Sequence, residues 1–139
     1  MLTTTTRYAL RALAKLAQLP KGEMIRGEEL SDQTGIPANY LSKIMATLRH
    51  GGIVEAVRGY NGGYRLDKLA RNIYIVDVME LFEGVRNHPK CLLGEDHECS
   101  DDMACSAHVR YRRVHLAYLR FLEKTTIASI SKKKSVKAE

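Results

Sequence analysis

Three cysteines occupy one short stretch of this 139-residue sequence, Cys91-x7-Cys99-x5-Cys105, and a histidine follows as Cys105-x2-His108. Thiolates are soft donors, and three of them on one segment suggest a metal site. Structural zinc sites usually pair cysteines two to four residues apart, and neither gap here is that short. Wider spacing suits a larger object, an iron–sulfur cluster whose irons are ligated from separate directions. A fourth donor is then needed. His108, one helical turn beyond Cys105, leads; His88, His97, the acids of the segment and a group from a second subunit follow. Three thiolates with a weaker fourth donor would hold a labile cluster, better suited to sensing than to stapling a fold. The alternative is three ordinary reactive thiols. An odd, clustered trio makes no disulfide framework, and a reducing, cytosolic compartment is the expectation.

The segment bearing these donors, Val85 to Ala104, shows no periodicity and contains Pro89 and Gly94, so it reads as a loop. Before it, Ile75, Val78, Met79 and Phe82 keep helical spacing in a helix closing at Gly84. After it, a long helix is expected from Cys105 or Ser106 to about Ile127. Ala107, Tyr111, Val114, Tyr118 and Phe121 recur by fours and threes, and Leu116, Leu119 and Leu122 widen the apolar surface. So small a domain cannot cover such a helix, and a two-fold copy of the chain is the simplest partner. Beyond Ile130 the Lys-rich tail reads as disordered.

The upstream half is organised around Thr34 to His50. Leu41, Ile44, Met45 and Leu48 form one buried helix face, with Asn39, Tyr40, Ser42, Lys43, Thr47 and His50 on the other. Pro37 suits the first turn and Gly51-Gly52 the stop. A short helix, Gly27 to Gln33, precedes it across the turn Thr34-Gly35-Ile36. Two short helices about a glycine turn, the second polar outside, have the form of a helix-turn-helix DNA reader, although helical hairpins in ordinary cores look similar. Residues 53–66 separate the two. Ile53 to Arg58 alternates as a strand, Gly59-Tyr60-Asn61-Gly62-Gly63 turns, and Tyr64-Arg65-Leu66 returns. A hairpin directly after the second helix makes a wing. Its glycines let the tip approach a backbone or enter a narrow groove, and Arg58 and Arg65 flank it, arginine being suited to an electronegative minor groove.

A first helix is expected from Arg7 to Leu19, capped by Thr5 or Thr6, with Ala9, Ala12, Leu13, Leu16 and Ala17 inside. Arg7, Arg11 and Lys15 line its other side, ordinarily a solvated stripe, which beside a DNA module could also contact phosphate or pack on a partner subunit. Met24-Ile25-Arg26 suggests a short strand beside the wing. The net charge is +6 and 45% of residues are hydrophobic, which favours a folded chain with a polyanionic partner. Charge is uneven: Met1 to Arg71 carries eleven Lys/Arg against six Asp/Glu, whereas Glu83 to Asp102 carries six acids against two bases. No signal peptide and no membrane-length apolar run are evident. The expected class is mainly α with a small β-hairpin wing. Residues 1–83 form a winged helix-turn-helix domain, 84–104 a cysteine-rich loop, 105–130 a dimerisation helix and 131–139 a tail. An enzyme is disfavoured, because no nucleophile–base or carboxylate pair stands at telling spacing and the wing glycines lead into a strand, not a helix.

With these residues in view, the chain resembles the IscR/NsrR/RirA family of bacterial iron–sulfur transcription regulators over nearly its whole length. Arg7-Tyr8-Ala9-Leu10-Arg11, Thr34-Gly35-Ile36 with Tyr40-Leu41, Leu48-Arg49, the wing Val57-Arg58-Gly59-x2-Gly62-Gly63-Tyr64-x-Leu66 and the cysteine trio carry the resemblance. It implies a homodimeric winged-helix repressor or activator, dimerised through the long helix. The state of a 2Fe–2S or 4Fe–4S cluster on Cys91, Cys99, Cys105 and His108, set by iron supply, oxygen or nitric oxide, would select its operators. Asn39, Tyr40, Ser42, Lys43 and Thr47 would face the major groove. Arg58 and the tip Gly59, Tyr60, Asn61, Gly62, Gly63 and Tyr64 would reach phosphate or minor groove. Two positions and one spacing depart, the seven-residue gap from Cys91 to Cys99 being wider than in IscR-like members and closer to that of RirA-like ones. IscR-like members carry glutamate where this chain has Ser42, so a different operator is expected. NsrR-like members have a carboxylate where this chain has Tyr8, a poor cluster ligand. The rivals are a cluster-free regulator controlled by thiol oxidation or a protein partner, and a small iron–sulfur redox or cluster-transfer protein.

Overall fold

The computed structural model describes residues 2–86 and 101–132. Cys91, Cys99, His88, His97 and most of the expected tail lie outside the described residues. Within them the order is α1 (Thr4–Leu16), α2 (Gly27–Thr34), α3 (Ala38–His50), β1 (Val54–Val57), β2 (Gly63–Leu66), α4 (Ile75–Glu83), α5 (His108–Lys124) and α6 (Ile127–Ser131). Short 3-10 turns stand at Ala70–Asn72 and Asp101–Met103. The architecture is mainly helical with one small antiparallel hairpin, a winged helix-turn-helix followed by a long C-terminal helix.

Helix α1 starts earlier than its threonines suggest. Thr3, not Thr5 or Thr6, is the cap, its hydroxyl accepting the Thr6 N–H. Thr6 is instead fully buried, and its hydroxyl donates to Glu83 at the end of α4. The helix also ends at Leu16 rather than Leu19. The amides of Gln18 and Leu19 bond carbonyls three residues back, tightening the chain ahead of Pro20, whose ring disfavours an α conformation in the residue before it. Ala9, Ala12, Leu13 and Leu16 form the buried face.

Helix α2 stops at Gly35, whose left-handed backbone (φ 70°) closes the helix. The Ser31 hydroxyl donates to the Ile36 carbonyl and binds the turn to α2. Pro37 takes the N-cap, and α3 buries Leu41, Ile44, Met45 and Leu48. Each such side chain contributes roughly 1.5–3 kcal/mol when fully buried, so four of them settle which face of α3 is left outside.

The wing pairs Val54 with Leu66, Glu55 with Arg65, Ala56 with Tyr64 and Val57 with Gly63. The expected strand at Met24–Arg26 is a single bridge: Ile25 and Tyr64 exchange both backbone hydrogen bonds, at 3.0 and 2.8 Å. Ile25 runs so close that a β-carbon at Gly63 (φ 146°) would collide with its carbonyl oxygen. The wing's base is therefore stitched to the segment between α1 and α2.

Helix α4 closes at Gly84 (φ 62°) as its sequence implies. The long helix does not run from Cys105 to Ile127. It begins at His108 and ends at Lys124, because Thr125 is extended and its carbonyl accepts the Ile75 N–H while Ile127 N–H donates to Ile73. Thr126 then caps α6 through a capping box. Ile127 is fully buried in the core shared by α1, α2, α3 and the wing. The stretch 105–130 thus contains a break, and its last turn belongs to the winged domain. A second core joins α4 to α5 through Ile75, Val76, Met79 and Leu122, with Tyr118 and Leu119 against it.

Candidate nucleic-acid interface and cysteine-bearing segment

Packing the apolar face of α3 inward leaves Asn39, Tyr40, Ser42 and Lys43 exposed and Thr47 half-buried. The Thr47 hydroxyl bonds back to the Lys43 carbonyl at 3.2 Å, as threonine does in a helix when no other acceptor is in reach. The tip of the hairpin presents Arg58, Gly59, Tyr60 and Asn61 to solvent, Tyr60 at 89% exposure. Gly62 lets the tip close, since a β-carbon there would collide with the Val57 carbonyl.

Two wing residues sit differently from a simple tip. Arg65 is held by Glu55, its cross-strand partner, through an Nε–Oε2 contact of 2.8 Å; the hydrogen bond to that carboxylate pushes the guanidinium pKa further up. Arg58 is thus the wing arginine left without a pairing carboxylate among the described residues. Tyr64 stands at the base. Its ring packs on the core and its Cε2 lies 3.5 Å from where a β-carbon at Gly27 would be.

Between α3 and the hairpin runs a cleft of about 350 Å³ lined by Ser42, Ala46, Arg49, Val57, Arg58 and Tyr64, among others. A cleft between a helix and a wing that is lined by two arginines and a serine is suited to a phosphate. Arg49, one of the residues that carry the family resemblance, is absent from the DNA contacts expected from sequence, although it lies seven residues, two turns, beyond Ser42. Helical spacing alone could have placed both on one side.

The cysteine-bearing segment is described in part. Cys105 is a free, half-exposed thiol. It precedes α5 rather than sharing its face: His108 N–H donates to the Cys105 carbonyl at 3.0 Å across a turn. His108 is 4% exposed, and its Nε2 is 2.9 Å from Asp101 Oδ1, which also accepts from Arg112 Nη1 at 3.0 Å. The hydrogen bond from His108, then the charge of Arg112, hold the Asp101 carboxyl below the usual carboxylate range. A thiol and an imidazole with a carboxylate behind it match the donor chemistry of a metal centre and its outer shell. Cys91 and Cys99 lie outside the described residues, and among those described no group of three metal-binding side chains is assembled.

On α5, Tyr118, Leu119 and Leu122 face the domain, whereas Val109, Val114, Leu116 and Phe121 stand between 43% and 67% exposed. No helix among the described residues is long and apolar enough to cross a membrane.

A winged helix-turn-helix with a bare polar recognition face and a basic cleft beside it defines a DNA-binding regulator. The chain belongs to the Rrf2 family, described as iron-dependent transcriptional regulators, whose match spans residues 2–133. A candidate HTH-type transcriptional regulator of Aquifex aeolicus is 36% identical over 128 residues, 91% of this chain and 88% of that one. The fold is shared with CymR, the global cysteine regulator of B. subtilis (TM-score 0.77, 24% identity, 94% of this chain and 95% of that one). It is shared equally with T. potens IscR (TM-score 0.76, 23% identity, 100% and 93%).

Proposed function

We propose that this chain is an operator-specific repressor, acting as a homodimer, whose DNA affinity is set by a labile iron–sulfur cluster. The observation that carries the DNA assignment is the common placement of α3's unburied polar face and the arginine-lined cleft beneath the wing. In this reading Asn39, Tyr40, Ser42, Lys43 and Thr47 read base edges in the major groove. Arg49 and Arg58 flank a backbone phosphate, and the tip Gly59 to Gly63 enters the adjacent minor groove. Without a carboxylate at position 42, this face opposes neither phosphates nor acceptor-rich base edges.

Cys91, Cys99, Cys105 and His108 would hold the cluster, which would supply sensitivity to iron, redox state or nitric oxide. The chain's own contribution is positional. Asp101 orients His108, and α5, starting at that histidine, leads back through its own Leu122 and, past Thr125, through Ile127 of α6 into the winged domain. Any change in how residues 101–108 sit is thereby passed to the domain's two cores. The uncovered Val109, Val114, Leu116 and Phe121 support pairing of α5 with a second copy, which would set two recognition helices one DNA turn apart.

A second reading, a cluster-free regulator controlled by thiol oxidation, is favoured by the half-exposed free thiol of Cys105. One experiment separates the two. Protein purified without oxygen is measured for visible absorbance, iron and acid-labile sulfide, then titrated into DNA enriched from a randomised pool. Visible bands with both elements, and DNA affinity that changes when they are removed, support the cluster reading. Colourless, iron-free protein that binds DNA until treated with a thiol oxidant supports the second.

A further inference from the structure

Helix α1 reaches the DNA-facing elements through two side chains that the proposed DNA and cluster contacts leave unused. Arg11 Nη1 donates to the carbonyl of Thr34 at 3.1 Å, at the last residue of α2. That helix has no basic residue in its own last turn, so Arg11 brings from α1 the positive charge that a helix C-terminus favours. The same guanidinium stands over the Tyr8 ring, 5.5 Å from its centroid, within cation–π range. Tyr8 in turn meets Tyr40 of α3 edge-on, with centroids 6.5 Å apart and planes at 61°. Residues 8 and 11 are neighbours on one face of a helix. That face therefore grips the end of α2 and the first turn of α3, on both sides of the turn between them. Ala9, Ala12 and Leu13, all fully buried, keep α1 itself from yielding.

We propose that Tyr8 and Arg11 are positioning residues for sequence recognition: they set the angle at which α3 leaves the turn and hold the Tyr40 ring in the orientation it offers to a base pair. The inference rests on the DNA-binding reading and gives α1 a part in specificity. The competing role for Arg11, a phosphate contact from the stripe Arg7, Arg11 and Lys15, makes the opposite forecast for salt. If Arg11 spends its donors on the Thr34 carbonyl and the Tyr8 ring, its removal leaves the number of phosphates neutralised unchanged.

Two measurements on the full chain test this. The first needs no DNA. Amide hydrogen exchange in Arg11→Ala and Tyr8→Ala should quicken about fivefold or more over residues 35–42 and stay at the wild-type rate over residues 75–83. Tyr8→Phe, which keeps the ring, should match wild type. Unchanged exchange over 35–42 in both alanine variants overturns the proposal. The second titrates a duplex enriched by the wild-type chain, and a shuffled duplex, at several salt concentrations. Arg11→Ala should bind the enriched duplex about tenfold more weakly and the shuffled one less than about twofold more weakly, with the slope of affinity against salt unchanged. Equal losses on both duplexes, with a slope smaller by about one, make Arg11 a phosphate contact and end the positioning role. A wild-type chain that enriches no duplex removes the DNA-binding reading instead. Hydrogen exchange then still decides whether α1 holds α3 in place.

Discussion

Thr6 Oγ1 donates to Glu83 Oε2 at 2.7 Å, joining the first turn of α1 to the last residue of α4. The other carboxylate oxygen accepts the Thr3 N–H at 3.3 Å, so Glu83 places a negative group at the N-terminus of α1, where the helix dipole favours it. The next residue, Gly84, turns the chain away toward the cysteine-bearing segment.

Because Thr6 is fully buried, replacing its hydroxyl by a methyl leaves a carboxylate oxygen short of a donor. Thr6→Val should lower stability by about 1–2 kcal/mol, read as a shift in the urea midpoint with an unchanged slope. A midpoint equal to wild type would show that water serves Glu83 as well.

The wing glycines divide by what lies beside them. Gly59 (φ 111°) faces open space, whereas Gly63 (φ 146°) faces the Ile25 carbonyl. Alanine at either position bears a backbone strain of about 1–3 kcal/mol, but only Gly63→Ala must also push the wing away from the Ile25 segment. Thermal melts should place Gly63→Ala clearly below Gly59→Ala. The same melting temperature for both would mean that the Ile25–Tyr64 bridge does not constrain the wing.

Arg58 and Arg65 look alike in sequence, yet only Arg65 is tied to Glu55. Arg58→Ala should weaken binding to enriched DNA more than about tenfold at fixed salt, a loss of at least about 1.4 kcal/mol, without altering self-association. Arg65→Ala should cost less. Gel-shift titrations that rank the two the other way would move the groove contact to Arg65.

Ser substitution removes a soft donor with little change in volume. Cys99→Ser and Cys105→Ser should each abolish the visible absorbance of protein purified without oxygen, with loss of iron and sulfide. Retained colour and iron in either variant would strike that cysteine from the ligand set.

The break at Thr125 separates two roles that one helix was expected to hold. Ile127→Ala opens a cavity in the winged domain's core and should cost about 2–5 kcal/mol of stability. Phe121→Ala, at an exposed position, should leave chemical stability at low concentration unchanged and weaken self-association in sedimentation. Loss of association by neither variant would require a different dimer surface.

Much of this protein is legible in sequence because its signals are local. The spacing of Leu41, Ile44, Met45 and Leu48 specifies which side of α3 is buried, and hence which side can meet DNA. Glycines at 35, 52, 59 and 84 mark turns whose positive-φ backbones few other residues adopt, and the hairpin follows from alternation on either side of the wing turn. The grouping of Cys91, Cys99 and Cys105 is equally local, and the proposed cluster or thiol chemistry rests on that spacing. What the sequence could not decide are the relations between segments far apart in the chain. Thr6 reads as a cap because capping is local, whereas its partner Glu83 lies 77 residues away. Residues 105–127 read as one helix because the apolar period continues through them, and only pairing with residues 73–75 breaks it. Arg11 and Arg65 read as free cations, and folding gives one a carbonyl and the other a carboxylate. Periodicity reports which face of an element turns inward; only the folded chain determines which element it meets there.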